Sequence, residues 1–355
     1  MKTLTTVCCF LLALCPVWGV AQTQVEPRPV STVVKAGKLL ETREASYIEN
    51  AVPSSVRPGV FNLSSVQSLP KTLAERLGFP RNAKLVIIHA DDVGVTHSVN
   101  SATTQALETG LVNSASIMVP CPWFPEIADY AKSHPSVDFG LHLTLTSERV
   151  YYRWGPVTSR DLVPTLLDSD GYLLHDWTSS TRIDPQQTEI ELRAQINRAY
   201  DMGVHPTHLD SHQYRLYQNG PQLFQVALRL AHEYKLPLFV TRDWFPESPY
   251  LESNLGPDDV VIDHTVTISP GVAPDKWADF YTGALKNLQP GVTEFVIHLA
   301  FADDEMKAAT RERDTWGAAW RQRDFDFFTG PAWRKLLQDQ QIHLVTWRQI
   351  AQAAR

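Results

Sequence analysis

The stretch from Leu85 to Gly94, LVIIHADDVG, limits the fold more than any other part of the chain. Four consecutive large apolar residues read as a strand buried on both faces, the pattern of a parallel sheet covered by helices. The run stops at two adjacent carboxylates, Asp91 and Asp92, and at Gly94, which lets the backbone turn. Ligand sites of α/β folds collect at the carboxyl ends of such strands. Neighbouring side chains of an extended chain point opposite ways, so one carboxylate is expected to meet a ligand while the other faces a different part of the pocket. An Asp-rich turn that caps the next helix would read the same way on this stretch alone.

The remainder of the chain repeats a strand-then-helix rhythm. A short helix over 70–78 precedes the first strand, with Leu73 and Leu77 four apart, Pro70 at its start and Gly78 past its end. Thr96 or Ser98 can cap a helix that runs to Gly110. A strand over 112–119, a helix over 125–133 and a strand over 137–145 follow. Asp184-Pro185 starts a helix that ends at Gly203, and Pro221 opens another. Further strands are expected at 207–211, 237–241, 260–266, 293–298 and 342–346. Seven or eight mostly parallel strands alternating with helices predict an α/β fold, a distorted (β/α) barrel in one catalytic domain spanning 70–355. The lack of GxGxxG after the first strand argues weakly against a dinucleotide fold. Residues 147–183 break the rhythm and are too long for a simple connection, so they read as a substrate-shaping segment or a structural flap.

With 355 residues, 43% of them hydrophobic, the chain can bury the core of one large domain. A net charge of −7 gives no electrostatic support to a nucleic-acid or anionic-membrane partner and suits small neutral substrates better. Residues 1–21 carry one Lys, an apolar run and a small-residue ending Gly19-Val20-Ala21. This predicts a signal peptide, a secreted or periplasmic location, and a polar leader over 22–69. Leu14 before Cys15 disfavours lipid anchoring, and no later stretch is long enough to span a membrane. Cys8, Cys9 and Cys15 lie in the removed segment, which leaves Cys121 alone and an internal disulfide excluded. Cys121 reads as a partly buried small hydrophobe.

Three further segments end like the first strand. GLHLTLT carries His142, THLDSHQ carries His208, Asp210 and His212, and EFVIHLA carries His298. Residues 208, 210 and 212 are two apart and share one face if the strand continues that far. Three ionisable groups on one inward face are costly unless paired, and a bound metal would relieve that cost. One carboxylate with two imidazoles leaves coordination positions open for water and substrate. Each histidine taken singly reads equally as a core hydrogen-bonder.

Taken in order, LVIIHADDVGVTHSVNSATTQALETGLVNSASIMV, GLHLTLT, PTHLDSHQ and EFVIHLA resemble the YdjC/ChbG-like carbohydrate deacetylases, relatives by analogy of the polysaccharide deacetylases. The resemblance runs from about Lys84 to the C-terminus. It implies a distorted (β/α) barrel and a divalent metal on Asp92, His142 and His212. It further implies Asp91 as catalytic base, His298 as catalytic acid, and removal of acetyl from a small N-acetylated saccharide. Zinc suits an Asp-His-His set, with magnesium, manganese or cobalt compatible. The chain departs from the family pattern at Gln213-Tyr214 and Leu299, where further His and Pro residues usually stand.

Asp210 is expected to orient His212 from behind, to touch substrate, or to serve as a turn residue. Arg242, His264 and His97 are candidate substrate contacts, His89 a pocket wall and His208 a buried hydrogen-bonder. Trp154, Trp244, Trp316 and Trp320 can stack on sugar rings or fill the core. Asp303-Asp304-Glu305 reads as a helix N-terminal charge set. Two rival functions stay open: another metallohydrolase acting on a sugar or phosphoester, and a silent carbohydrate-binding protein. The sequence does not choose between a monomer and a homodimer.

Overall fold

The computed structural model of the protein describes residues 71–178 and 181–354. The expected signal peptide and leader, with Pro70, lie outside the described residues.

In chain order the elements are α1 (Leu73–Arg76), β1 (Lys84–Val93), α2 (His97–Glu108), β2 (Ser114–Ile117), α3 (Phe124–Ser133) and β3 (Phe139–Leu143). The long segment then precedes α4 (Pro185–Asp201), β4 (Leu209–Ser211), α5 (Arg215–Gln218), α6 (Pro221–Tyr234) and α7 (Pro249–Asn254). Last come β5 (His264–Thr267), α8 (Trp277–Lys286), β6 (Gly291–His298), α9 (Asp304–Ala309), α10 (Ala318–Thr329), α11 (Pro331–Asp339), β7 (His343–Leu344) and α12 (Trp347–Ala353). The expected boundary signals act where they stand. Thr96 caps α2 by accepting from the Val99 amide, and Asp184 caps α4 by accepting from the Gln186 amide.

Among the described residues all seven strands are parallel, in the order β4-β3-β2-β1-β6-β5, and β7 also pairs with β1. The expected strand over 237–241 is reduced to two parallel bridges, Leu209 with Leu238 and Thr241 with Ile262. These carry backbone hydrogen bonding from β4 round towards β5, so the sheet curls into a distorted (β/α) barrel. At the centre, β1 is forked: its lower half pairs with β7 and its upper half with β2. Asn113 fills the fork. Its Oδ1 accepts from the Ile88 amide at 2.8 Å and its Nδ2 donates to the Val345 carbonyl at 2.7 Å.

Burial follows the parallel-sheet pattern. Nine of the ten residues of β1 are buried, all but Lys84. Val86, Ile88 and Ala90 belong to the main core, whereas Leu85 and Ile87 pack with Phe239, Val260, Val292 and Trp347. Alternate residues of one strand therefore serve two different packing surfaces. Residues 147–178 are anchored. Trp154, Val163, Leu166, Leu173 and Trp177 sit in the main core, and Glu191 of α4 accepts from the amides of Val157 and Thr158 at 2.9 and 3.0 Å. Cys121 is buried, and burial pushes its thiol well above the ordinary range, as suits an inert apolar side chain. Among the described residues no helix is long and apolar enough to cross a membrane.

Candidate active site

Strand β1 ends in an irregularity. Its register with β2 shifts between Ala90 and Val93, and Asp92 takes a left-handed backbone with φ 66°. Aspartate tolerates this region better than most residues. Asp91 and Asp92 line the same cavity of about 310 Å³, Asp92 beside His142 and His212 and Asp91 towards His298. Gly94 continues the turn at φ 97°, where an added Cβ would stand 3.2 Å from the Met118 carbonyl.

Asp92, His142 and His212 each present a ligand atom within 4.8 Å of the others. Asp92 Oδ1 lies 3.5 Å from His142 Nε2 and 3.1 Å from His212 Nδ1, and accepts no hydrogen bond although it is buried. Ligands 2.0–2.1 Å from a tetrahedral centre stand about 3.3 Å apart, and these separations bracket that value. The outward ring nitrogens are held by carboxylates: His142 Nδ1 donates to Asp210 Oδ1 at 2.7 Å, and His212 Nε2 to Glu148 Oε2 at 3.0 Å. Each imidazole thus turns its other nitrogen towards Asp92, the arrangement that fixes metal-binding tautomers. The donor set fits a divalent cation.

Electrostatics agree with that reading. Burial works against charge on both imidazoles and is outweighed. Asp91 and Asp210 push His142 well above the ordinary imidazole range, and Glu148 and Asp92 raise His212. Asp92 is held well below the carboxylate range despite burial, chiefly by the Arg321 guanidinium that pairs with Oδ2. Burial likewise opposes ionisation of Glu148, yet His212 brings it down to about 2.

Asp210 corrects an expectation, because it orients His142 and not His212. Its second oxygen accepts from His89 Nε2 at 3.1 Å, so both oxygens are engaged and Asp210 is no substrate contact. His89, a strand residue below Asp91, also approaches Asp91 Oδ1 to 3.2 Å and bonds Ser114 and Ser116. Burial would lower its pKa, but Glu294, Asp210 and Asp91 raise it to about 10. Beneath it His208 stacks on Trp347 with centroids 4.8 Å apart and turns an edge to His89. A Cβ on Gly140 would fall 2.4 Å from the His208 ring, which gives the glycine of GLHL a steric reason.

The free oxygen of Asp91, Oδ2, is 3.8 Å from His142 Nε2 and 3.9 Å from His298 Nε2. His298 ends β6 directly opposite Asp91. Burial pulls its pKa down to about 4, with Asp92 opposing. Trp316 and Tyr214 contribute aromatic walls to the cavity, and Thr267 also lines it.

Arg242 and His264 do not come to this cavity. His264 pairs with Thr293, five positions before His298, which places it about 16 Å down the barrel at ~3.3 Å per residue. There it meets Asp243 at 3.3 Å, and Arg242 meets Asp263. His97 is engaged with Glu126 at 2.7 Å. Of the four tryptophans, Trp316 alone lines the cavity; Trp154 and Trp320 are buried, and Trp244 packs against Tyr214, Tyr217 and Phe239. Asp303 caps α9 as expected and also accepts from Ser98. Sequence reasoning missed Glu148, Arg149, Arg313 and Arg321. Glu148 and Arg149 carry one signal, ionisable residues directly after an apolar strand run.

A parallel α/β barrel with a buried Asp-His-His cluster at its strand ends places the chain among α/β barrels whose site is assembled from residues of several strands. More particularly, a family model described as YdjC-like protein matches residues 85–339, and the chain belongs to that family. It is 32% identical to a carbohydrate deacetylase of Thermus thermophilus over 292 residues, covering 79% of this chain and 98% of that one. A carbohydrate deacetylase of Brevibacillus brevis is 28% identical over 275 residues, 75% of this chain and 99% of its own. Among solved structures, an Enterococcus faecalis protein described as a candidate cellobiose-phosphate cleavage protein matches with TM-score 0.63 and 27% identity, over 75% of this chain and 98% of that one.

Proposed function

We propose that the protein is an exported, divalent-metal-dependent hydrolase that removes acetyl groups from small N-acetylated saccharides. The observation that carries the reading is Asp92 Oδ1, a buried carboxylate oxygen without a hydrogen bond, facing two imidazole nitrogens whose outer nitrogens are held by Asp210 and Glu148. The carbohydrate deacetylases related to the chain over most of their length support it.

Asp92, His142 and His212 would hold a divalent cation, which when bound would acidify a water and polarise the amide carbonyl; zinc suits the set, with magnesium, manganese or cobalt compatible. Asp91 Oδ2 faces the cavity and takes the proton of the attacking water, while Oδ1 is steadied by His89 and Ser116. His298 Nε2, 3.9 Å from that oxygen, receives the proton and passes it to the departing sugar nitrogen. Each positioned transfer contributes on the order of 10² to 10⁴ in rate. Water and amide become acetate and amine. Trp316, beside His298 with centroids 6.5 Å apart, offers the sugar ring an apolar face.

The test is acetate release from N-acetylated chito-oligosaccharides by protein loaded with each of the four metals, against phosphoester hydrolysis by the same samples. Phosphate release without acetate would move the reading to the phosphoester rival. Sugar binding without either product would make the protein a binding module. N-terminal sequencing of the secreted form tests export, with the mature chain expected to begin near residue 22.

A further inference from the structure

Three arginines line the cavity that holds Asp91 and Asp92: Arg149, Arg313 and Arg321. Arg321 pairs with Asp92 Oδ2 and donates from Nε to the Trp316 carbonyl at 2.8 Å, yet its buried Nη1 has no hydrogen-bond partner. The Arg149 side chain is only 2% exposed. Its Nε stands 3.4 Å from Glu148 Oε1 outside hydrogen-bond alignment, and Nε and Nη1 are both unpartnered. Arg313 is half-buried and makes no side-chain hydrogen bond or ion pair among the described residues.

Three guanidiniums around one small cavity repel one another. Burial, then Arg321 and Arg313, pull Arg149 down from the usual arginine range, while Glu148 and Asp92 push back. The nearby carboxylates already have partners: Glu148 serves His212, Asp92 serves Arg321, and Asp91 serves His89. Buried guanidinium N–H groups left without acceptors are costly, and an anion entering the cavity is the partner that would offset that cost.

We propose that the saccharide taken by this site is acidic: a carboxylate on the sugar docks against Arg149, Arg313 and Arg321 while the N-acetyl group lies at Asp91 and Asp92. A planar carboxylate matches the guanidinium fork in two parallel hydrogen bonds. The chain's net charge of −7 points to a neutral substrate; in the cavity the three guanidiniums stand against three carboxylates, Asp91, Asp92 and Glu148, each of which is already engaged by another side chain. Arg313 also lines an adjoining open cleft of about 470 Å³, where Lys307, Arg311 and Arg323 make four basic side chains against the single carboxylate of Asp314. A longer acidic chain would run there. What is cleaved rests on the deacetylase reading; the preference for an anion does not.

The experiment measures equilibrium binding and acetate release together, on the metal-loaded protein, with three probes. These are di-N-acetylchitobiose, the disaccharide of N-acetylglucosamine and N-acetylmuramic acid as the carboxylated probe, and di-N-acetylchitobiose 6-phosphate. The carboxylated probe is expected to bind about tenfold or more tighter than the neutral one, the size of one charge-assisted hydrogen-bond pair. Arg313→Gln, near the surface, and Arg149→Met, which preserves volume, should each cut that ratio about tenfold. Equal binding of neutral and carboxylated probes, or an unchanged ratio in both variants, overturns the proposal; a preference for the phosphorylated probe overturns the carboxylate assignment. Preferred binding of the acidic probe with no acetate released would sink the deacetylase reading and leave this one standing.

Discussion

Among the described residues, three groups of histidines and carboxylates inside the barrel meet the distance criterion for holding a cation: Asp91, His142 and Asp210 bridge two others that sit one above the other. The lower is His89, His208 and Asp210; the upper is Asp92, His142 and His212. In the lower cluster both nitrogens of His89 and both oxygens of Asp210 are engaged, His208 Nδ1 meets Thr207 Oγ1 at 3.0 Å and leaves its buried Nε2 without a partner, and none of the three lines the 310 Å³ cavity. The upper cluster borders the 310 Å³ cavity, and its bonds to Asp210 and Glu148 run outward, away from Asp92. Residue types alone do not separate a metal centre from a structural network. What separates them is where the remaining donors and acceptors point.

Asp92→Asn tests that contrast most severely. It removes a charged ligand while keeping shape, and deacetylation should fall by roughly 10³ or more as several kcal/mol of charge stabilisation are lost. Calorimetric titration should show one tight cation in the wild type and none in the variant. A second tight cation, or one that survives Asp92→Asn, would break the contrast by giving the lower cluster a metal.

His89→Ala attacks the lower cluster. It leaves Asp91 and Asp210 buried without their imidazolium, which should cost about 3–5 kcal/mol in chemical denaturation, with the variant still binding one cation when folded. A loss below about 1 kcal/mol would mean that the lower network does little to hold the barrel together. Glu148→Gln and Asp210→Asn sharpen the upper cluster: each should weaken metal affinity by about 10- to 100-fold through misoriented histidines, read by competition with a chelating dye.

The smallest effect concerns Glu294, buried beside the lower cluster with Oε2 accepting from Trp347 Nε1 at 2.9 Å. Burial, with Asp210 and Asp91 adding to it against His89, raises its pKa from 4.5 to about 8. The folded state therefore keeps a proton that the unfolded chain gives up, and the stability this confers declines as pH rises from about 4.5 to 8. Glu294→Gln stays neutral in both states, so it should match the wild type below about pH 4.5, flatten the decline above it, and gain on the wild type as pH rises towards 8. An unchanged slope would show that Glu294 is ionised throughout.

Much of this was legible in the sequence because strand-end positions follow from local pattern. The apolar runs before Asp91, His142 and His298 mark buried strands, and their last residues reach the same end of a parallel barrel. Register was not legible. His264 follows an apolar run much as His142 does, yet its pairing with Thr293 leaves it low in the barrel. Orientation within a motif was not legible either: Asp210 lies two residues from His212 but bonds His142 on the neighbouring strand. Arg321 sits on a helix 229 residues from its partner Asp92, and no spacing rule connects the two.

The displaced register at the top of β1 carries a lesson for anyone grafting this chemistry onto another scaffold. Copying the letters Asp-Asp onto a regular strand would aim the two carboxylates at opposite layers of the host. The transplant must bring the kinked backbone of Asp92, with the glycine that follows it, or only half of the donor pair arrives.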